Sequence, residues 1–141
     1  FELLANRLLG KVPEYLKVKS YNVSVIKSDE IITTLIDEFK SSQLVNISCV
    51  ISNKLEAYGL ERASIANINS HFIDHEEYNS REAFDEAMII QLDHYKPDLI
   101  VLAGFMRIIS PGFVKKYKNK IIMLLKKIML KVLCLKMLKV R

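Results

Sequence analysis

The sequence predicts a doubly wound α/β domain of three layers, with a parallel central sheet and helices packed on both of its faces. Segments with strand-like and helix-like hydrophobic spacing alternate in the order βαβαβαβα, which favours right-handed parallel crossovers. One strand, from Leu99 to Ala103, is apolar at every position and follows Pro97. An apolar run without alternation is typical of a strand buried on both faces in the middle of such a sheet.

Length, composition and charge limit the class of protein. With 141 residues, of which 50% are hydrophobic, the chain is long enough for one domain with its own core. Residues 121–141 hold six of the 21 basic residues and none of the 16 acidic ones, which leaves 15 basic against 16 acidic residues before them. A nearly neutral body with a basic tail lacks the charge pattern of a nucleic-acid-binding protein.

Cysteine and histidine usage gives no metal or disulfide signal. Cys49 and Cys134 form no disulfide framework and no ligand spacing, which fits a reducing compartment. None of the histidines, His71, His75 and His94, belongs to a ligand motif, and such residues are more often polar surface groups or hydrogen-bonded neighbours. We therefore expect no metal site. Since no signal-peptide pattern opens the sequence, we expect a cytoplasmic location.

The first part of the chain contains one strand and two helical patterns. Phe1 to Leu9 has the spacing of an amphipathic helix, and residues 1–20 receive no functional assignment. A short strand from Val23 to Ile26 precedes a helix that Ser28 caps. The apolar face of that helix follows the i, i+3/i+4 spacing and consists of Ile31, Ile32, Leu35, Ile36 and Phe39.

The next segments predict a strand, a helix and a short extended piece. The strand alternates through Val45, Ile47, Cys49 and Ile51. A helix from about Ala57 to Ala66 follows, with Leu60 and Ala63 facing inward. The extended piece lies near Phe72 and Ile73.

The helix from Ser80 to Tyr95 has the clearest signals. Asn79 as its N-cap, with Glu82 three residues later, resembles a capping box, and Pro97 stops the helix. One apolar face contains Phe84, Ala87, Met88, Leu92 and Tyr95.

The strand at 99–103 and the loop after it organise the rest of the chain. Gly104 ends the strand, residues 105–109 form a loop with one charge, and Ser110 and Pro111 open a helix that reaches Lys118. In open α/β sheets, ligands bind at the carboxyl ends of the strands. We therefore predict the ligand site at this loop.

Four stretches occur in a particular order between about Leu35 and Ile122. They are Ser52-Asn53-Lys54, Ala57 to Ala63 (AYGLERA), Ser80 to Asp85 (SREAFD) and Ala103 to Pro111 (AGFMRIISP). Together they resemble the phosphoribosylglycinamide formyltransferase family of purine synthesis. Formyltetrahydrofolate hydrolase and methionyl-tRNA formyltransferase share that fold. In the loop that matches Ala103 to Pro111, however, they have other residues before the Met-Arg or Met-Gln pair, which is Met106-Arg107 in this chain. The resemblance implies a Rossmann-like three-layer formyltransferase fold, truncated at the C-terminus in this chain.

The resemblance also implies a site for the cosubstrate 10-formyltetrahydrofolate. In the family, the loop that matches Met106, Arg107, Ile108 and Ile109 lines the pterin pocket, where apolar groups cover the ring and backbone groups orient it. Arg81 matches a further folate contact, because a guanidinium can hold glutamyl carboxylates through paired hydrogen bonds. From the residues alone, other interpretations stay open: Arg81 as a solvated first-turn residue, Met106 as core packing and Arg107 as a surface charge.

The family's phosphate-binding loop has no counterpart at the matching position. The family has Gly-Asn-Gly-Ser-Asn there, whose backbone N–H groups hold the ribonucleotide phosphate at a helix N-terminus. This chain has Lys27 to Ile31 instead, without glycine. Because Asp29 and Glu30 would satisfy the helix dipole and repel a phosphate, we expect poor binding of the ribonucleotide.

Two catalytic positions of the family also differ. The family's Asn-Ile-His-Pro-Ser motif supplies an Asn and a His that stabilise the oxyanion, and the His moves protons with the help of a downstream Asp. Counted from Phe113, the Asn position is Met123 and the His position is Leu125, and neither side chain can donate a hydrogen bond. No acidic residue follows Asp98. We therefore assign no catalytic residue in this sequence.

Residues 123–141 consist almost wholly of Leu, Met, Lys, Val and Ile. Five lysines and an arginine interrupt the apolar span, which argues against a membrane anchor, and their spread around a helix argues against a membrane-surface helix. Two interpretations stay open: a helix that covers the sheet, or a shifted reading frame with a similar lesion near residues 27–31. In the second case another frame of the coding DNA should encode Asn-Ile-His-Pro-Ser after Ile122; its absence from both frames would exclude a shift.

The predicted organisation is an unassigned segment 1–20, a folate-binding half 21–122 and a basic apolar tail 123–141. Two functions from different classes remain. One is formyl transfer from 10-formyltetrahydrofolate to the amine of glycinamide ribonucleotide, impaired by these departures. The other is a non-catalytic remnant, either a defective product or a module that only binds folate. Either way the expected partners are small molecules, with no nucleic acid and no membrane.

Overall fold

A computed structural model describes residues 21–26, 29–42, 45–105 and 107–124, with backbone only for residues 21, 29–31 and 124. The strands and helices in chain order are β1 (Tyr21–Ile26), α1 (Asp29–Phe39), β2 (Val45–Ser52), α2 (Tyr58–Ile65), β3 (Asn69–Phe72), a 3-10 turn (His75–Glu77), α3 (Arg81–Tyr95), β4 (Leu99–Ala103), α4 (Pro111–Lys116) and β5 (Ile121–Leu124).

The described strands form one parallel sheet in the order β3-β2-β1-β4-β5. From β1 in the middle of the sheet, the described chain builds outward to β3, returns through α3 to β4 and continues to β5. The prediction of a doubly wound α/β domain is therefore confirmed. β5 is absent from the predicted elements, although the apolar run from Ile121 to Leu124 has the length of a short strand.

Two layers of helices pack on opposite faces of the sheet. α1 and α2 cover the face that includes Leu99, Val101 and Ala103 of β4, and α3 and α4 cover the face with Ile100 and Leu102. Each of these five residues is at most 2% exposed. This confirms the prediction that the central apolar strand is buried on both sides.

The predicted alternation through β2 breaks at Ser48. Val23 of β1 pairs with Ile47, but the next residue, Ser24, pairs with Cys49, so that Ser48 is an extra residue in β2. Such a bulge exchanges the faces that alternate residues occupy. Ile47 consequently packs in the core with α1 and α2, and Cys49 packs in the core with α3 and α4.

Cys49 has the properties of a packing residue. Its thiol is fully buried and lies 3.4 Å from the Oγ of Ser24. Burial raises the pKa of the Cys49 thiol to about 11, so it stays protonated at neutral pH. It is therefore neither a nucleophile nor a metal ligand in this fold.

Helix α3 begins one residue later than predicted. Ser80 is its N-cap, because its Oγ accepts a hydrogen bond from the N–H of Ala83 at 3.1 Å and its own backbone is still extended. The predicted capping box of Asn79 and Glu82 is therefore wrong. The predicted apolar face is confirmed, with buried Phe84, Met88 and Leu92 and partly buried Ala87 and Tyr95; Asp85 and Ile89 are also buried.

Helix α4 begins as predicted and ends early. Ser110 is the N-cap and Pro111 the first helical residue, but the last is Lys116 instead of Lys118. The chain turns after it through Asn119, whose φ of 66° is left-handed. The N–H of Lys120 also bonds back to the Tyr117 carbonyl at 2.9 Å.

Some predictions fall outside the described residues. These are the helix at residues 1–9, the cap at Ser28 and the tail beyond residue 124. Within the described ranges, no helix has the length and apolar character needed to cross a membrane. The same ranges contain no group of three or more His, Cys, Asp and Glu residues that could hold a metal ion.

Candidate functional site

The carboxyl edge of the sheet contains a topological switch point. β1 and β4 lie side by side in the middle of the sheet, and the chain leaves β1 towards β2 but leaves β4 towards β5. In open α/β sheets, ligands bind at such a switch point, where the connections after the two strands diverge. Residues 27 and 28, directly after β1, lie outside the described residues, so the described side of the switch point is the one that follows β4.

The β4–α4 loop, residues 104–110, forms this side. Gly104 starts the loop with a φ of 61°, a left-handed conformation that favours glycine. Apart from its chain neighbours, no atom of the described residues lies within 4 Å of the position that a Cβ would take, so the backbone conformation and not the space favours glycine here. Phe105 comes next and is buried in the core with α3 and α4. The first residues of the loop are therefore fixed.

The last residue of the loop is held by two hydrogen bonds. The backbone N–H of Ser110 donates to Oδ2 of Asp85 at 2.5 Å, and its Oγ accepts from the N–H of Phe113 at 3.3 Å. Ser110 and Asp85 are both buried. The loop is thus anchored to β4 at one end and to α3 at the other.

Phe84 on α3 forms an aromatic platform beside the loop. The Arg107 guanidinium lies 5.4 Å from the ring centroid, within cation–π distance. Tyr78 and His75 approach the same ring, with centroid distances of 5.9 and 6.3 Å. The side chain of Asn53, just after β2, donates from Nδ2 to Nδ1 of His75 at 3.1 Å. The Phe84 ring therefore contacts the β4–α4 loop and the segment with His75 and Tyr78, and Asn53 joins the group through His75.

Arg81 is the first residue of α3 and lies one turn before Phe84. Its side chain is 38% exposed, and its Nη2 donates to Oε1 of Glu82 at 3.1 Å. A hydrogen bond from the backbone N–H of Glu82 and the contact with Arg81 lower the pKa of the Glu82 carboxyl. Glu82 therefore stays charged and partly neutralises Arg81.

Within the described part of this region, three buried polar atoms have no hydrogen-bond partner: Nε of Arg81, Nε of Arg107 and Oδ1 of Asn53. An unpaired buried N–H is costly, and a ligand with carboxylate or carbonyl oxygens would satisfy both arginines. Ile108 in the loop is 74% exposed and offers apolar surface to a flat ring. The arrangement suits a ligand that combines a flat heterocycle with anionic groups.

The predicted site residues have different outcomes. Arg107 lies over the Phe84 ring with its Nε buried, whereas Arg81, one helical turn before Phe84, contacts Glu82. Ile108 is exposed, and Ile109 packs against the core formed with α3 and α4. Met106 lies outside the described residues, so its interpretation as core packing or ligand contact stays open.

Three polar residues of this region are missing from the predicted site. Asn53 carries a usable signal, because it follows a strand at the same carboxyl edge. His75 is hydrogen-bonded to Asn53, which agrees with the expectation that the histidines are surface groups or hydrogen-bonded neighbours. Asp85 carries no local signal, because an acidic residue in a helix is normally exposed.

His71 also has a close polar neighbour, since its Nε2 lies 2.6 Å from the hydroxyl of Tyr95. Burial, and to a lesser degree the neighbouring His94, lower the pKa of His71. His71 therefore remains neutral at physiological pH and is part of the packing between β3 and α3.

Of the two positions that the resemblance predicts for the family's Asn and His, only Met123 is a described residue. It lies in β5, pairs with Leu102 of β4 and is 45% exposed. A thioether has no hydrogen to donate, so Met123 cannot stabilise an oxyanion. Leu125, at the His position, lies outside the described residues.

Comparison with known proteins gives a consistent result. Residues 21–125 match the family model described as formyl transferase. The phosphoribosylglycinamide formyltransferase of Escherichia coli (strain K12) is 44% identical over 89 residues, which are 62% of this chain and 42% of that protein. The trifunctional purine biosynthetic protein adenosine-3 of Chironomus tentans is 42% identical over 107 residues, 74% of this chain and 8% of that protein.

Solved structures agree with the sequence comparison. A phosphoribosylglycinamide formyltransferase from Coxiella burnetii superposes with a TM-score of 0.69 at 39% identity, over 74% of this chain and 50% of that one. The enzyme of the same name from Brucella melitensis also gives 0.69, at 32% identity, over 74% and 56% of the two chains. The chain therefore spans about half the length of the single-function relatives that it matches.

Proposed function

This chain belongs to the formyl transferase family, and on that premise we propose that it serves formyl transfer from 10-formyltetrahydrofolate to the amine of glycinamide ribonucleotide in purine synthesis. The relatives that carry this name support the reaction. The described residues would supply the folate half of the site, at the carboxyl edge of the sheet.

The position of Arg107 carries the proposal. Its guanidinium lies over the Phe84 ring at the switch point of the sheet, and its Nε is buried without a partner. An arginine held against an aromatic ring keeps a fixed direction for its remaining N–H groups. Because the loop is anchored at both ends, Arg107 is in place before a ligand binds, which lowers the entropic cost of binding.

10-Formyltetrahydrofolate fits these groups and, when bound, would supply the activated formyl unit. The loop backbone and Ile108 would cover the flat pterin, and Arg107 would donate to its polar edge. Arg81 would hold a carboxylate of the glutamyl tail through paired hydrogen bonds, in exchange for its contact with Glu82. The unpaired Nε atoms of both arginines support this fit.

Isothermal titration calorimetry with 5-formyltetrahydrofolate, a reduced folate with the same pterin and tail, tests the proposal. We expect saturable binding of this folate and weaker binding of glycinamide ribonucleotide, because residues 27–31 lack the glycines that would let the backbone approach a phosphate. Binding of the ribonucleotide without any binding of the folate would contradict the assignment.

The substitution Arg107→Ala should weaken the affinity for this folate by about tenfold or more, since a hydrogen bond to a charged group contributes about 1.5–3 kcal/mol. It should lower the free energy of unfolding by about 1 kcal/mol at most, the scale of an exposed cation–π contact. Arg107→Lys keeps the charge but not the planar guanidinium, so the folate affinity of this variant should lie between those of the parent chain and Arg107→Ala. Calorimetry measures the affinities and urea denaturation measures the stabilities.

Arg62 offers a matched control for this substitution. Its Nε is also buried and unpaired, but it lies on α2 and pairs with Asp37 of α1 at 3.3 Å, on the other face of the sheet. Arg62→Ala should therefore leave the folate affinity at the parent value. Parent-like affinity in Arg107→Ala, or an equal loss in Arg62→Ala, would count against the loop as a folate site.

A second candidate function is folate binding without transfer. Met123 and Leu125 favour it, because they replace both groups that the family uses to stabilise the oxyanion. Both candidates involve small-molecule partners and neither involves nucleic acid or a membrane. A reducing, cytoplasmic compartment is part of the proposal and is supported by the free, buried thiol of Cys49.

A further inference from the structure

We propose that Asp85 is a positioning residue for the β4–α4 loop: by accepting the backbone N–H of Ser110, it holds the loop in the shape that binds folate. This inference rests on the proposed function, because it adds a role within the same site. It concerns a residue that touches neither the exposed surface of the loop nor the space above it, since Asp85 is 2% exposed.

The burial of Asp85 requires an explanation. Its neighbours on the buried face of α3 are apolar, namely Phe84, Met88, Ile89 and Leu92. A carboxyl group on such a face loses its hydration, which is costly unless a hydrogen bond replaces it. A hydrophobic residue would fit the same face without that cost. The value of an aspartate here therefore lies in the bond from Ser110, whose N to Oδ2 distance is 2.5 Å.

Ser110 is the junction between the loop and α4. As the N-cap residue, its N–H has no acceptor within the helix, and Asp85 provides one from α3. Its Oγ is engaged at the same time with the N–H of Phe113. Ser110 cannot shift without breaking one of these bonds and leaving a buried polar group unpaired.

The anchor at Ser110 acts on the residues that would face the ligand. Only residues 106–109 lie between buried Phe105 and Ser110, so a shift of either end is passed to Arg107. Consecutive residues of α3 support the loop at two points, since Phe84 lies under Arg107 and Asp85 holds Ser110. Release of one support would leave the guanidinium without a fixed direction.

Asp93 supplies a matched control within the same helix. It also connects α3 to α4, but at the far end: its Oδ2 accepts from Lys116 Nζ at 2.7 Å and its Oδ1 accepts from the Tyr117 hydroxyl at 2.8 Å. Neither partner belongs to the loop. Loss of Asp93 should therefore weaken the packing of α4 without moving Arg107.

Calorimetric titration of the full chain and its variants with 5-formyltetrahydrofolate tests the inference, with unfolding measured in parallel. We expect Asp85→Ala to weaken the affinity at least about tenfold, because a loosened site loses preorganisation. Asp85→Asn retains an acceptor oxygen and should stay within about threefold of the parent. Asp93→Ala should bind like the parent even where its stability is lower.

Parent-like affinity in Asp85→Ala, or an equal loss in Asp93→Ala, would overturn the inference. If Asp85→Ala does not fold, amide hydrogen exchange of the parent chain provides the test. The Ser110 amide should exchange as slowly as the amides of β4, and exchange as fast as that of the Ile108 amide would overturn the inference.

If the parent itself does not bind the folate, the proposed function and this inference fall together. If the parent binds and Asp85→Ala binds equally well, only this inference falls.

Discussion

With 10-formyltetrahydrofolate and glycinamide ribonucleotide both supplied, this chain is expected to form product at least about 10³-fold more slowly than a full-length relative, since loss of one oxyanion donor alone costs about 10²–10³ in rate. By the predicted correspondence, Met123 stands at the position of that donor, and its thioether has no hydrogen to give. By the same correspondence Leu125 replaces the histidine, which would remove a further contribution from acid–base catalysis of about 10²–10⁴. A product assay beside the Escherichia coli enzyme measures the difference.

The double variant Met123→Asn, Leu125→His is the matched test of these two positions. It returns an amide and an imidazole, so we expect its turnover to exceed that of the parent while the folate affinity stays the same. A parent rate within about tenfold of the relative would contradict the assignment, because a missing donor cannot cost so little. If neither the parent chain nor the double variant forms product faster than the uncatalysed reaction, folate binding without transfer would be the favoured function.

The substitution Phe113→Ala is expected to lower the free energy of unfolding by about 3–5 kcal/mol, which is a large part of the stability of a small domain. Phe113 of α4 is fully buried in the core shared with α3 and β4, and its ring packs against Tyr117 with a centroid distance of 5.1 Å. Its removal leaves a cavity that the surrounding strands and helices cannot fill by small movements. Urea denaturation followed by circular dichroism measures the loss.

Val114 is the matched control, because it is the next residue of α4 and is 49% exposed. Val114→Ala should change the free energy of unfolding by less than about 0.5 kcal/mol, as is usual for surface positions. Equal effects of the two substitutions would mean that α4 does not pack as described. A fully unfolded Phe113→Ala variant would agree with the expected size of the effect.

The sequence by itself determined the layered fold, because hydrophobic spacing reports burial directly. The unbroken apolar run of β4 and the apolar face of α3 each reflect the surroundings of one local segment. The β4–α4 loop was predicted as the ligand site for a similar reason, since its place after a central strand is a local fact, and Arg81 was predicted from the family resemblance. The folate contact itself stays a prediction for each of them.

Only the tertiary structure decided which separate segments meet. The hydrogen bond from Ser110 to Asp85 joins residues 25 positions apart, and the Phe84 platform joins α3 to the loop after β4. The bulge at Ser48 likewise depends on how β2 pairs with β1. Hydrophobic periodicity tells which face of a segment is buried, but not which residues it packs against. A buried carboxyl, an unpaired guanidinium or an extra strand residue, in contrast, depends on one particular neighbour. That neighbour is set by packing and not by local spacing, so these features required the fold.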